Sequence, residues 1–166
     1  MYAADPLDPF LTHVAARTFA AGSLTSTQID QILSAGVRAP SASNRQPWAF
    51  TVVRDLTLAQ KIVPGVVDGN ILIVVSSPGN PPQSSAFLDC GLAVESMYLA
   101  SQALGLGSRI YTGPIASVNQ RFASELGIPS GYSAVAIVRV GKLGPGSDAI
   151  SGASSRKNLN SIVNYR

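Results

Sequence analysis

The stretch APSASNRQPW, residues 39–48, sets two prolines, two serines, an asparagine, an arginine and a glutamine between a helix-like segment and an apolar, strand-like one. A plain turn needs two or three special residues, usually Gly, Pro, Asn or Asp, where the backbone must take unusual angles. This connection carries more donors and acceptors than that. The surplus points to a planar polar ligand, and the flanking elements decide what kind of fold presents it.

Upstream, Thr25 and Gln28 have the spacing of a capping box, and Ile29, Ile32, Leu33 and Val37 follow at helical intervals. The helix should end near Ala39, because Pro40 disfavours helical angles in the residue before it. Downstream, WAFTVV (48–53) and ILIVV (71–75) read as strands, the second apolar on both faces and therefore central. SSPGNPP (76–82) is a loop by composition. The run SSAFLDCGLAVESMYLASQALGLGS (84–108) predicts a long helix, apolar nearly all round and stopped by Gly105 or Gly107. RIY (109–111) suits a short strand, ASVNQRFASELG (116–127) a surface helix, and YSAVAIVRVG (132–141) a further strand. A short opening helix is expected over 8–16, and the Gly-, Ser- and Pro-containing tail from Lys142 onward as an extended arm. Helices interrupt the strands often enough that sheet neighbours must be distant in sequence.

A chain of 166 residues is most simply one domain, 1–166, with 142–166 as its C-terminal arm. Apolar residues make up 46% and charged residues 13%, against roughly 25% charged in ordinary soluble domains. With a mean hydropathy of +0.23, this imbalance implies apolar surface covered by a second subunit. The net charge of +3 comes from twelve basic residues scattered from Arg17 to Arg166, without a basic run or interleaved aromatics, so no nucleic-acid partner is expected. ILIVV is far short of the roughly 20 residues of a membrane helix. The N-terminal MYAADPLDPF carries two aspartates and no basic residue, unlike a secretory signal. No membrane partner and a cytoplasmic address are the expectations.

The inventory of chemical groups is sparse. His13 is the only histidine and has no triad or HExxH surroundings, so a structural role is its plainest reading. Cys90, the single cysteine, lies in the most apolar segment, where a thiol behaves as a small hydrophobe. Nine thinly spread carboxylates offer neither a metal cluster nor a glycosidase pair, and GLGSR (105–109) lacks the third glycine of a dinucleotide fingerprint and the lysine of a P-loop. A domain without its own nucleophile, base or metal leaves the chemistry to a cofactor.

Pro40, Ser41, Asn44, Gln46, Pro47 and Trp48, followed by a strand, resemble the Pro-Ser-x-x-Asn-x-Gln-Pro-Trp signature of the FMN-dependent nitroreductase family. ARTF (16–19), the long helix ending ALGLGS, LGIPSGY and SRKNLNSIV look like further family landmarks. The resemblance implies an α+β, three-layer α/β/α fold with a central mixed, mostly antiparallel sheet, a long core helix and an extended C-terminal arm. It implies a homodimer that passes electrons from NAD(P)H through FMN to a small aromatic acceptor, a nitroaromatic or a quinone, by ping-pong hydride transfer. On the family pattern no side chain is catalytic. Arg17 would lie against the pyrimidine edge of the flavin, and Pro40, Ser41, Ala42, Asn44 and Gln46 would contact it from the partner subunit. Thr112 and Gly113 would approach the flavin N5, and Arg156 would hold the phosphate, for which a guanidinium fork is suited.

Departures accompany the match. His13, Val14 and Ala15 stand where relatives have two basic residues and a serine, Ala42 where a second serine is common, and Ser154 where a lysine precedes the phosphate arginine. Only His13 of the first three could still donate. A non-catalytic flavin-binding or flavin-free dimeric scaffold or sensor is therefore the competing reading. Ser41 and Asn44 could instead satisfy backbone groups in a tight connection, while Arg17 and Arg156 could be solvated charges. The short segment before the long helix implies an open substrate pocket.

Overall fold

The computed structural model describes Phe10 and residues 15–79, 82–146 and 156–166. The helix labelled α1, Ser26–Val37, is the first whose full length is described, and its start is the expected capping box. Thr25 Oγ1 accepts the Gln28 N–H at 3.1 Å, while the Thr25 N–H donates to Gln28 Oε1 at 3.0 Å. Arg38 ends it, two residues before Pro40.

Among the described residues five strands form the sheet: β1 (Phe19–Ala20), β2 (Ala49–Val53), β3 (Ile71–Pro78), β4 (Gly107–Tyr111) and β5 (Tyr132–Leu143). β2 pairs with β3, β3 with β5, and both β4 and β1 with β5 along its other edge. Every one of these pairings is antiparallel, where the sequence left room for a mixed sheet. β3 is central, and alternation splits its side chains between two cores. Ile71, Ile73 and Val75 pack with Ile29 and Ile32 of α1 and with Cys90, Val94 and Met97 of the long helix α3 (Ser84–Ala103). Leu72 and Val74 pack on the opposite face with Ala59 and Ile62 of α2 (Leu56–Ile62) and with Val118 and Phe122. The result is three layers. Each aliphatic side chain withdrawn fully from water contributes about 1.5–3 kcal/mol to this arrangement. Gly36 permits the close approach of α1 and α3, since a Cβ there would sit 2.8 Å from Met97 Cγ.

Several expectations are corrected. The segment 76–82 is not all loop: β3 continues through Ser76, Ser77 and Pro78, paired with Ala134, Ser133 and Tyr132. The register slips between Val75 and Ser76, leaving Val135 as the extra residue of a bulge that turns it toward the α1 and α3 side. Residues 116–127 are not a plain surface helix. A single turn, Ile115–Ser117, runs into a π-helical turn, Val118–Phe122, and Val118, Phe122 and Leu126 are buried. The helix α2, capped by Asp55 Oδ1 accepting the Leu58 N–H at 2.7 Å, occupies a stretch for which the sequence raised no expectation. Most of the expected opening helix over 8–16 lies outside the described residues; Phe10 is helical, and at the far end of the stretch the Ala16 N–H donates to the Ser108 carbonyl at 2.9 Å. β5 runs to Leu143, two residues into the expected arm, and 156–166 are exposed around one 3₁₀ turn, Leu159–Ser161. α3 behaves as expected, ending before Gly105, whose φ of +72° suits a helix stop.

Candidate functional site

Between α1 and β2 the chain makes a single 3₁₀ turn, Ala42–Asn44, with backbone angles that belong to no regular element. Ser43, Asn44 and Gln46 have φ of +53°, +54° and +48°, and they are the non-glycine residues in the left-handed region among the described residues. Each such placement costs on the order of 1–3 kcal/mol unless the surroundings compensate, and conformations of this kind cluster at ligand sites.

The compensation is local and identifiable. The Gln46 N–H donates to Ser41 Oγ at 3.0 Å, closing a ring across the turn, and Gln46 Nε2 donates to Asn44 Oδ1 at 3.1 Å. The Ala42 N–H donates to Asp89 Oδ1 of α3 at 3.1 Å, and Arg45 Nη2 lies 3.8 Å from Asp89 Oδ2. Asn44 and Gln46 are exposed. A cavity of about 290 Å³ borders the connection, lined by Arg45, Pro47, Pro78, Gly79, Gln83 and Ala86. Trp48 stacks on Phe50 with ring centroids 6.4 Å apart and anchors the start of β2.

The other candidates lie elsewhere. Arg17 is exposed next to Ala16, whose backbone is tied to β4, and Thr112 and Gly113 are exposed just beyond the end of β4. A Cβ on Gly113 would meet nothing within 4 Å, so the backbone there is open to a ligand. β4 and β1 edge the sheet on one side and β2 edges it on the other, three strand spacings away or about 14 Å. Ser41, Asn44 and Gln46 are thus gathered in one turn, while Arg17 and the 112–113 pair belong to the opposite edge of the same chain. Arg156 is exposed in the tail, and its charge acts on the Tyr98 hydroxyl of α3. Pro40 precedes the turn and Ala42 opens it, and both are exposed. His13 and Ser154 lie outside the described residues.

Ser41 does the structural work weighed as its alternative role, since its hydroxyl is engaged by Gln46. Asp89 is the participant that sequence reasoning missed. It was visible as the only charged side chain between Asp68 and Glu95, set in an otherwise apolar run. Its neighbour Cys90 is wholly buried, and burial, followed by the Asp89 charge, pushes the thiol pKa up. Such a thiol is a poor nucleophile. The exposed side of α3 carries Phe87, Leu88 and Leu92, the first two more than half exposed at 54% and 65%. That apolar strip lies on the same helix that ties down the turn.

The nitroreductase family model matches residues 12–71 and 60–142. A protein of Archaeoglobus fulgidus, provisionally named NADH dehydrogenase/NAD(P)H nitroreductase, is 31% identical over 136 residues, which cover 75% of this chain and 78% of its own. A solved structure from Desulfovibrio desulfuricans, a provisionally named nitroreductase in complex with FMN, superposes with a TM-score of 0.80 at 25% identity, covering 99% of this chain and 98% of that one. A nitroreductase with bound FMN from Desulfitobacterium hafniense shares the fold with a TM-score of 0.77 at 23% identity, covering 96% of this chain and 97% of that one.

Proposed function

Because the chain belongs to the nitroreductase family and is on that account an oxidoreductase, we propose that two copies of it hold FMN in the seam between them and move electrons from NAD(P)H to a nitroaromatic or quinone-like acceptor. The observation that carries this reading is the turn in which Ser43, Asn44 and Gln46 are left-handed, which holds exposed Asn44 and Gln46 amides ready for a planar polar ring. The FMN complex of the Desulfovibrio desulfuricans relative supports the choice of ligand.

The residues present suit that group. Asn44 and Gln46 offer amide donors and acceptors, and Arg17 offers a cation that stabilises an electron-rich ring edge. Thr112 and Gly113 offer a backbone open to close approach. Arg156, with His13, is the candidate for the phosphate. When bound, FMN supplies two-electron, ping-pong chemistry between donor and acceptor. The protein orients the ring and fixes its electrostatics, and no side-chain acid is needed for the first half-reaction. The turn leads into one edge strand, β2, and Arg17 into the opposite edge strand, β1, which favours a ring gripped by the turn of one copy and the arginine of another. The apolar Phe87, Leu88 and Leu92 strip gives the copies a surface to share. Among the described residues no helix is long and apolar enough to cross a membrane.

Absorption spectroscopy of the purified protein tests the reading. Flavin bands are expected as isolated or after addition of FMN, and their absence in both conditions overturns it. Rapid bleaching on stopped-flow mixing with NADH or NADPH is expected of the enzyme. Flavin that stays oxidised favours instead the passive binder suggested by His13, Val14 and Ala15.

A further inference from the structure

Asp89 is 3% exposed, and burying a carboxylate is costly unless its oxygens are matched by donors. Its Oδ1 takes one hydrogen bond, from the Ala42 N–H across 47 positions of sequence. Its Oδ2 is buried without a hydrogen bond and faces the Arg45 guanidinium at 3.8 Å. Both contacts go to the same turn, on either side of the left-handed Ser43 and Asn44. The neighbours of Asp89 on α3 are apolar, so this carboxylate does nothing for the helix that a hydrophobe would not do better.

We propose that Asp89 is the positioning residue of the ligand-binding turn: by receiving Ala42 and facing Arg45 it holds residues 41–46 in the turn whose left-handed Ser43, Asn44 and Gln46 present the Asn44 and Gln46 amides to the ring. The proposal rests on the flavin reading for the identity of the ligand, and on the geometry alone for the clasp. It separates two jobs within the turn. Ser41 closes the loop on itself, and Asp89 fixes the closed loop to the body of the protein.

Amide hydrogen exchange of the flavin-free protein and FMN titration, on wild type, Asp89→Ala, Asp89→Asn and Ser101→Ala, test it together. Ser101 carries a buried hydroxyl on the same helix that donates to the Met97 carbonyl at 2.7 Å, within α3 itself, so its removal reports the general effect of disturbing α3. In Asp89→Ala, exchange at Ala42 should quicken about tenfold and FMN dissociation constants should rise about tenfold, as expected on loss of a hydrogen bond to a charged acceptor. Asp89→Asn keeps an acceptor for Ala42 and loses the charge facing Arg45; protection of Ala42 should return while affinity stays a few-fold weak. Wild-type exchange at Ala42 in Asp89→Ala, or a loss of FMN affinity in Ser101→Ala as large as in Asp89→Ala, overturns the proposal. Should Asp89→Ala not fold, unchanged FMN affinity in Asp89→Asn overturns it. A wild type that binds no FMN removes the flavin reading, and exchange at Ala42 then decides the clasp by itself.

Discussion

Asn70 Oδ1 receives both Nε and Nη2 of Arg139, at 3.0 and 2.8 Å, in a part of the sheet where Arg139 is 5% exposed. A buried guanidinium is thus matched by an amide in place of a carboxylate. The Phe19 ring, 3.9 Å from the guanidinium carbon, covers it, and Asn70 Nδ2 in turn donates to the Ala20 carbonyl at 3.1 Å. Burial lowers the Arg139 pKa, and a hydrogen bond with Tyr111 opposes that shift. The cluster ties β1 to β5 and to the residue that precedes β3. Asn70→Ala should therefore destabilise the protein by about 3 kcal/mol, because it leaves a buried charge short of its acceptor. Arg139→Met, which removes the charge and keeps the volume, should cost less. Urea denaturation of the two variants checks the order, and an equal or reversed cost refutes it.

Cys90 supplies a pH dependence whose sign is fixed. Burial raises its folded pKa above the unfolded value, so the stability linked to it is complete below the unfolded pKa, about 8.5, and is lost as pH rises from there toward the folded pKa. Tyr98, raised chiefly by burial, acts in the same direction at higher pH. Wild type should lose stability between about pH 8.5 and 10 more steeply than Cys90→Ala, as read by melting temperatures across that range.

Ser43 holds a φ of +53° with an exposed side chain, so a substitution there reads backbone strain with little packing. Ser43→Val should cost roughly 1–2 kcal/mol and Ser43→Gly should be close to neutral. Equal stabilities for the two variants in thermal melts would mean that the turn relaxes to ordinary angles in solution.

Arg17 is exposed, and its replacement should leave the fold intact. Arg17→Ala is expected to weaken FMN binding about tenfold while moving the melting temperature of the flavin-free protein by no more than a degree or two. A large fall in that melting temperature would assign the arginine a structural duty instead.

What the sequence disclosed and what it hid follow one division. The capping box of Thr25 and Gln28 and the apolar run Ile71–Val75 are local patterns, and both stand in the structure where the residues pointed. Ser76 and Ser77 read as loop because their composition is polar, yet they are buried by pairing with Ala134 and Ser133, more than 50 positions away. The same distance effect hid Val118, Phe122 and Leu126, whose burial depends on the far face of the sheet. The surplus of polar groups over 41–46 marked that stretch as a candidate ligand site, and its unusual backbone was not part of that reading. The means by which it is held, a carboxylate 47 residues downstream, left no trace in the spacing of the turn itself.

The placement of the turn and of Arg17 on opposite edges of one sheet has a genetic corollary under the two-copy reading. A chain defective only in Asn44 and a chain defective only in Arg17 would each carry a fault in both crevices of its own dimer. Co-expressed, they would pair so that one crevice inherits both faults and the other inherits neither, and about half of the mixed molecules' capacity would reappear. Complementation between two impaired alleles is the behaviour that a shared crevice dictates and a self-contained one forbids.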